Sequence, residues 1–216
     1  MTSSPPKTAL VVGATGLVGD LLTHLLVENP AYEKVKALVR RSLGWQHPRL
    51  QEVAFDFDHP NGLLVQADDI YCCLGTTIRK AGSREAFKKV DYQYPLDVAR
   101  LGLAGGARQY MLVSAAGADV NSSFFYNRVK GELERDLRAL NYPTTIVVRP
   151  SLLLGDRREF RFGEKIGEVL MKLANPLIPV NYKAVKAASV ANALCTLAQK
   201  HMAGFHVIES GELQKY

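Results

Sequence analysis

A parallel sheet with helices on both faces, the doubly wound α/β class, follows from three features of this chain of 216 residues. Short apolar runs bounded by turn residues alternate with helical patterns from Thr8 to Val148. The first run, Ala9 to Val12, breaks at Gly13-x-x-Gly16-x-x-Gly19 and passes into apolar residues at helical spacing: Leu17, Val18, Leu21, Leu22, Leu25 and Leu26. Bulk composition agrees. With 47% hydrophobic and 22% charged residues, 216 residues suit one well-buried domain and are short for two.

Strand, glycine turn and amphipathic helix are the opening half of a βαβ unit. Gly13 lets the chain turn off the strand, Gly16 lets its backbone approach a pyrophosphate, and Gly19 lets the helix lie close on the sheet. The helix start offers unpaired N–H groups and the positive end of its dipole to phosphates. Gly13, Thr15, Gly16, Leu17, Val18 and Gly19 are therefore the expected nucleotide cradle. The first spacing is G-x-x-G rather than G-x-G, and a tight turn with no ligand is the plain alternative; the strand–turn–helix context favours the nucleotide.

Lys34 to Arg41 reads as the second strand. An acidic residue commonly ends this strand in NAD-binding folds, where it holds the ribose 2′-hydroxyl. Arg40 and Arg41 stand there instead. Two guanidiniums, each a planar fork of donors, suit a 2′-phosphate, so NADP(H) is expected over NAD(H). Leu50 to Phe57 is the third strand, with Asp56 near its end in reach of an adenine amino group. Asp69 to Leu74 is the fourth, and Leu74 and Gly75 should line the cleft, because ligands lie beyond the carboxyl ends of the strands where the strand order switches. A polar loop, Thr77 to Gly82, leads to helical patterning from Ser83 to Leu103 that bends or restarts near Pro95. Arg108 to Ser114 is strand five, a helix follows from about Phe124 to Leu140, and Thr144 to Val148 is strand six. A charged loop (156–164), a helix near 166–174, a helix from Ser189 to His201 and a short last strand, Phe205 to Ile208, complete the chain. The expected architecture is a single doubly wound Rossmann domain over residues 1–216, in core order 3-2-1-4-5-6. It carries a small C-terminal elaboration and a short substrate-side segment at about 151–190.

Candidate chemistry gathers where strand five ends. Ser114 stands there, and twelve residues on comes Tyr126-Asn-Arg-Val-Lys130. Tyr and Lys at i and i+4 share a helix face. A free phenol is a poor proton donor or acceptor at neutral pH; an ammonium one turn away favours the phenolate and brings general acid–base work within range. The lysine also suits a ribose hydroxyl, and Ser114 a substrate carbonyl oxygen. Hydride from a nicotinamide and a proton from Tyr126 would together reduce that carbonyl. On its own the Tyr-x-x-x-Lys spacing is common on helix surfaces. Its place behind a nucleotide turn and a strand-end serine gives it meaning.

Other chemistries find little support. Cys72, Cys73 and Cys195 form no C-x-x-C or metal spacing and read as buried reduced thiols. The five histidines are scattered, and there is no G-x-S-x-G elbow or Walker loop. The net charge of +6 comes from 27 basic and 21 acidic residues spread along the chain, without a basic block, which argues against nucleic acid. A polar N-terminal stretch and the lack of any apolar run near ~20 residues argue against a secretory signal or a membrane partner. A cytoplasmic location is the resulting expectation.

The chain resembles extended or atypical members of the short-chain dehydrogenase/reductase superfamily. More narrowly, it resembles the NADP-binding family of the Tat-interactive protein, an oxidoreductase-like tumour suppressor. The matching stretches are Gly13 to Gly19, Arg40-Arg41, Cys72-Cys-Leu-Gly-Thr-Thr77 with Lys80-Ala-Gly82, Tyr126-x-x-x-Lys130-Gly-Glu132, Arg149-Pro150, Leu153-Leu154 and Asp156-Arg157. The resemblance implies NADPH over the glycine turn, Tyr126 as proton carrier, and cofactor contacts from Leu153 and Arg161. One departure matters. Active members often place an Asn in the helix after strand four, and the stretch 81–106 has none; Asp91 is its nearest polar residue. Two functions follow: an NADPH-dependent reductase of a small carbonyl substrate, or an NADPH-binding sensor that reports to a protein partner without turnover. An epimerase with resident NAD is disfavoured by Arg40-Arg41, and the short segment after Arg149 disfavours a large sugar-nucleotide substrate.

Overall fold

A computed structural model describes residues 7–155, 180–200 and 202–216. In chain order these form β1 (Lys7–Val12), α1 (Leu17–Glu28), β2 (Tyr32–Val39), β3 (Leu50–Ala54), one-turn α2 (Gly62–Val65), β4 (Asp69–Cys72), one-turn α3 (Ile78–Ala81) and α4 (Arg84–Lys88). A π-helical turn (Lys89–Gln93), α5 (Tyr94–Ala104), β5 (Gln109–Val113), α6 (Phe125–Ala139), β6 (Thr144–Arg149) and β7 (Leu153–Leu154) follow. Beyond Val180 come β8 (Val185–Lys186), α7 (Ala187–Ala198), β9 (Gly204–Glu209) and α8 (Ser210–Leu213). Seven strands form one sheet in the order β3-β2-β1-β4-β5-β6-β9, every neighbouring pair parallel. The expected order 3-2-1-4-5-6 is present, extended by β9 at one edge.

Parallel strands covered on both faces need apolar side chains pointing both ways, and the runs in β1, β4, β5 and β6 supply them. Ala9 and Val11 face a core completed by Leu22 and Leu26 of α1 and Val190, Leu194 and Leu197 of α7. Leu10 and Val12 face the opposite core, with Leu96 and Val98 of α5 and Leu133 and Leu137 of α6. Alternation within a single tetrapeptide thus assigns α1 and α7 to one layer and α5 and α6 to the other.

Several boundaries refine or differ from the sequence expectation. The helical stretch over Ser83–Leu103, expected to bend or restart near Pro95, does restart there: a π turn separates α4 from α5. Proline lacks the N–H that would bond the carbonyl four residues back, that of Asp91. The chain widens instead into the π turn, with the Tyr94 N–H bonding the Lys89 carbonyl. The expected polar loop Thr77–Gly82 contains α3, because the Thr77 hydroxyl accepts the Lys80 N–H at 3.1 Å and Gly82 closes the turn at φ 88°. The two-stranded pairing of β7 with β8, formed by short segments far apart in sequence, was not expected. The charged loop 156–164, the helix near 166–174 and His201 lie outside the described residues, as does most of the segment 151–190.

Register sets what meets at the carboxyl edge. Leu38, Val12, Cys72, Leu112 and Val147 form one row across the sheet. Two residues further along each strand stand Arg40, Ala14, Leu74, Ser114 and Arg149. Residues spread from position 14 to position 149 of the sequence are thereby brought to one edge.

The approach of α1 to the β1 turn leaves no room for a side chain. A Cβ on Gly19 would fall on the carbonyl oxygen of Gly13 and 3.1 Å from the Ala14 Cα. Alanine is the better helix former by about 1 kcal/mol, yet Gly19→Ala should lower stability by roughly 1–3 kcal/mol through overpacking. The midpoint of urea unfolding measures this, and an unchanged or raised midpoint would show that the turn relaxes freely.

Candidate functional site

Gly13 leaves β1 at φ 83°, with its Cα so close to the end of β4 that a Cβ would lie 2.7 Å from the Cys73 carbonyl carbon. The Gly16 N–H closes the turn on the Gly13 carbonyl at 2.9 Å. Gly16 is also the N-cap of α1, and no side chain caps the helix. Thr15 and Gly16 are exposed, and a Cβ on Gly16 would meet only the Gly13 oxygen, at 3.2 Å. An uncapped helix start with open space above a glycine fits a phosphate group. Val18 and Gly19 are buried, so their contribution to such a cradle is backbone. Leu17 is half-buried and packs on Gly155, whose Cβ position lies 3.0 Å from a Leu17 methyl. The segment after β6 therefore reaches the turn, with half-buried Leu153 packed against the adjoining core. Arg161 lies outside the described residues.

Arg40 and Arg41 are both exposed at the end of β2, one strand from the turn. Among the described residues neither makes a hydrogen bond or ion pair. Their charge is uncommitted. Asp56, by contrast, is occupied with its own turn: it accepts the Asp58 N–H at 2.9 Å and pairs with His59 Nδ1 at 3.0 Å.

Beyond β4, Leu74 is half-buried and Gly75 is exposed. A Cβ on Gly75 would lie 3.6 Å from Asp91 Oδ1 and 4.0 Å from Lys130 Nζ. Those two groups form a buried ion pair at 2.8 Å, with Asp91 side-chain exposure 1% and Lys130 3%. Charge holds this contact first. Asp91 Oδ2 accepts the Thr76 N–H at 2.8 Å. Burial works against the Lys130 charge, but Asp91, with a further contribution from Tyr126, outweighs it and holds the ammonium above its ordinary range. Tyr126, one turn before Lys130, is half-buried and packs on the buried Phe87 ring at 5.5 Å between centroids. Glycine turn, Gly75 and Lys130 thus come together, with Tyr126 one turn before Lys130 on α6.

Ser114 is a correction. It was expected to hold a substrate oxygen beside Tyr126, but its hydroxyl donates to Glu134 Oε1 at 2.5 Å and it is 5% exposed. Glu134 lies two turns past Tyr126 on α6, about 12 Å along the helix axis. That carboxylate also takes Arg149 NH2 at 2.6 Å, and Arg149 reaches on to Glu209 at 3.0 Å. Ser114 thereby joins a network tying β5, α6, β6 and β9. The next two residues, Ala115 and Ala116, carry no hydroxyl. The sequence reading named Asp91 only as the nearest polar residue to an absent Asn, not as the partner of Lys130, and it missed Glu134. The π turn before Pro95 hints at the role of Asp91; nothing local marks Glu134.

No family model matches the chain. FMP52, a mitochondrial protein of Eremothecium gossypii, is 38% identical over 169 residues, spanning 76% of this chain and 75% of that protein. Rat HTATIP2 is 38% identical over 164 residues, spanning 73% of this chain and 67% of that protein. Among solved structures, MoeE5 in complex with UDP-glucose and NAD superposes with TM-score 0.72 over 95% of this chain and 79% of that one, at 14% identity, a likeness of fold. The mitochondrial designation of the FMP52 relatives corrects the cytoplasmic expectation. The cytoplasmic expectation rests on overall composition, which does not distinguish one compartment from another.

The Glu134 network generates a test. Ser114→Ala removes a hydrogen bond to a charged group and should cost about 1.5–3 kcal/mol of stability, read from the unfolding midpoint. Nucleotide affinity, measured by calorimetry, should stay within about twofold, well under the ~1.4 kcal/mol that a tenfold change represents. A stable variant with much weaker nucleotide binding would return Ser114 to the cleft.

Proposed function

Because the chain belongs to the atypical, extended branch of the short-chain dehydrogenase/reductase superfamily that holds HTATIP2 and the FMP52 proteins, we propose that it binds NADP(H) and reduces a small carbonyl compound with Tyr126 as proton carrier. The observation that carries this reading is the buried, charged Lys130 one turn from Tyr126, beside Gly75 at the edge where the glycine turn lies. The uncapped start of α1 and the Thr15-Gly16 backbone hold the pyrophosphate. Arg40 and Arg41 take the 2′-phosphate. Leu74, Gly75 and Leu153 line the cleft, and Lys130 binds a ribose hydroxyl. When bound, NADPH supplies the hydride. Tyr126 gives its proton to the forming alkoxide, and Lys130 steadies the charge that the phenol leaves behind. The names of the FMP52 relatives extend to this chain as the proposal of a mitochondrial setting.

A second reading has its own observation. With Ser114 committed to Glu134 and alanines at 115 and 116, β5 brings no free hydroxyl to orient a carbonyl. Cofactor binding does not depend on that hydroxyl, whereas turnover does. The second reading is an NADPH sensor that passes its state to a protein partner.

One measurement tests the cofactor assignment that both readings share, and a second separates the readings. Arg40→Ala or Arg41→Ala should weaken NADPH binding about ten- to a hundredfold, the loss of a charge-assisted contact, and leave NADH binding nearly unchanged. If neither change narrows the preference, the 2′-phosphate assignment fails. Tyr126→Phe should abolish NADPH oxidation across a panel of carbonyl compounds while NADPH affinity holds. Equal rates in wild type and variant would remove Tyr126 from the mechanism. No rate in either, with NADPH bound, favours the sensor.

A further inference from the structure

The ion pair between Asp91 and Lys130 is the most deeply buried pair of opposite charges at this edge of the sheet, and the π turn is what delivers it. Asp91 is 0% exposed and sits at the centre of that turn, and its two oxygens do different things. One lies 2.8 Å from Lys130 Nζ on α6. The other takes the Thr76 N–H on the loop after β4. A single carboxylate therefore joins the helix that carries Tyr126 to the loop that carries Gly75. Three ionisable groups face Lys130: Asp91 from the π turn, Tyr126 from its own helix, and the Cys72 thiol from β4.

We propose that Asp91 is a positioning residue, the resident counter-ion that fixes Lys130 beneath Gly75, keeps it charged before any ligand arrives and ties the Leu74–Thr76 loop to it. The part of this that concerns cofactor affinity rests on the reading that Lys130 serves the bound nucleotide. The physical argument is one of desolvation. A lone ammonium this deeply buried sheds its proton, because burial penalises only the charged form. Arg40 and Arg41, out in solvent, can wait for a phosphate; Lys130 cannot wait.

The sign of the expected pH dependence follows. In the wild type Lys130 is held above its ordinary range, so both its charge and nucleotide affinity should be flat from about pH 6 to about pH 9. In Asp91→Asn, which keeps an oxygen for the Thr76 N–H, burial acts on Lys130 without its counter-ion, and the ammonium titrates lower. Nucleotide affinity then falls as pH rises, by roughly tenfold per unit above the new midpoint if the charge is essential to binding. The folded state of that variant gains stability as pH rises, since its unfolded chain binds the extra proton.

The test uses the full chain with 13C-labelled lysine. The Lys130 Cε resonance is assigned by its loss in Lys130→Arg and titrated in the ligand-free wild type and Asp91→Asn; NADPH dissociation constants are then measured over the same pH range. A resonance flat in the wild type and titrating in the variant supports the proposal. Identical titrations overturn it, whatever the nucleotide does. If NADPH binds neither protein, the cofactor reading falls, while the ligand-free titration still decides the role of Asp91. Should Asp91→Asn fail to fold, a cycle of Asp91→Leu, Lys130→Met and the double variant replaces it. A double variant more stable than either single one supports the resident counter-ion, because removing one partner of a buried pair is worse than removing both. Additive losses overturn it.

Discussion

The carboxyl edge of the sheet is built on a place where three backbones touch. Gly13 turns out of β1 with its Cα against the Cys73–Leu74 peptide of β4, and Gly19 of α1 rests on the Gly13 carbonyl. Side chains at either position would push the helix away from the sheet or the two strands apart. The contact seats the start of α1 at the end of β1, beside β4, where the strand order switches. It also settles how close Gly75, at the end of the loop from β4, comes to anything held above the turn. The parallel register then carries the same geometry outward to Arg40 on one side and to Ser114 and Arg149 on the other.

Much of this was legible in the sequence, because its determinants are local. Apolar runs of four to six residues, turn residues between them and the three-residue glycine spacing all act within a dozen positions. The strands and the long helices accordingly fall near their expected places. Pro95 is readable too, although its effect falls on the residues before it: the missing N–H opens the turn that holds Asp91. What was not legible depends on direction. A serine at a strand end points to one face or the other according to a register that a single residue shifts, and Ser114 points to Glu134. The partner lies twenty residues on, in a helix whose rotation about its own axis the sequence does not state with that precision. The pairing of β7 with β8 is non-local in the same sense.

The Ser114–Glu134–Arg149–Glu209 chain has a consequence for how α6 is held. Glu134 is buried, and Arg149 fills both of its oxygens, so α6 is anchored to β6 by a bidentate contact two turns below Tyr126. A pair of this kind contributes little net stability when compared with apolar packing, but it fixes rotation about the helix axis as apolar contacts alone do not. Asp91 grips the same helix one turn below Tyr126. Two buried carboxylates from different parts of the fold thus set the angle at which the phenol meets the cleft, while Phe87 packs its ring from the side.

The distribution of charge around the site follows from solvation rather than from any one reaction. Cations that bind a ligand's phosphates stay solvated until the ligand comes, so they carry no desolvation cost in the empty protein and need no partner. Arg40 and Arg41 are exposed and without a partner among the described residues, as this would require. A cation that serves chemistry from within must be desolvated all the time, because water beside it would screen the field it supplies. It therefore needs a counter-ion built into the fold, close enough to keep it charged and placed so that its own negative charge lies behind the lysine rather than beside the substrate. Asp91 approaches Lys130 from the π turn, while Tyr126 approaches from the preceding turn of α6. An Asn at the same position would preserve shape and the Thr76 contact but give up that balance. On the proposal above, the Asp91 carboxylate is what allows the lysine to be both buried and charged.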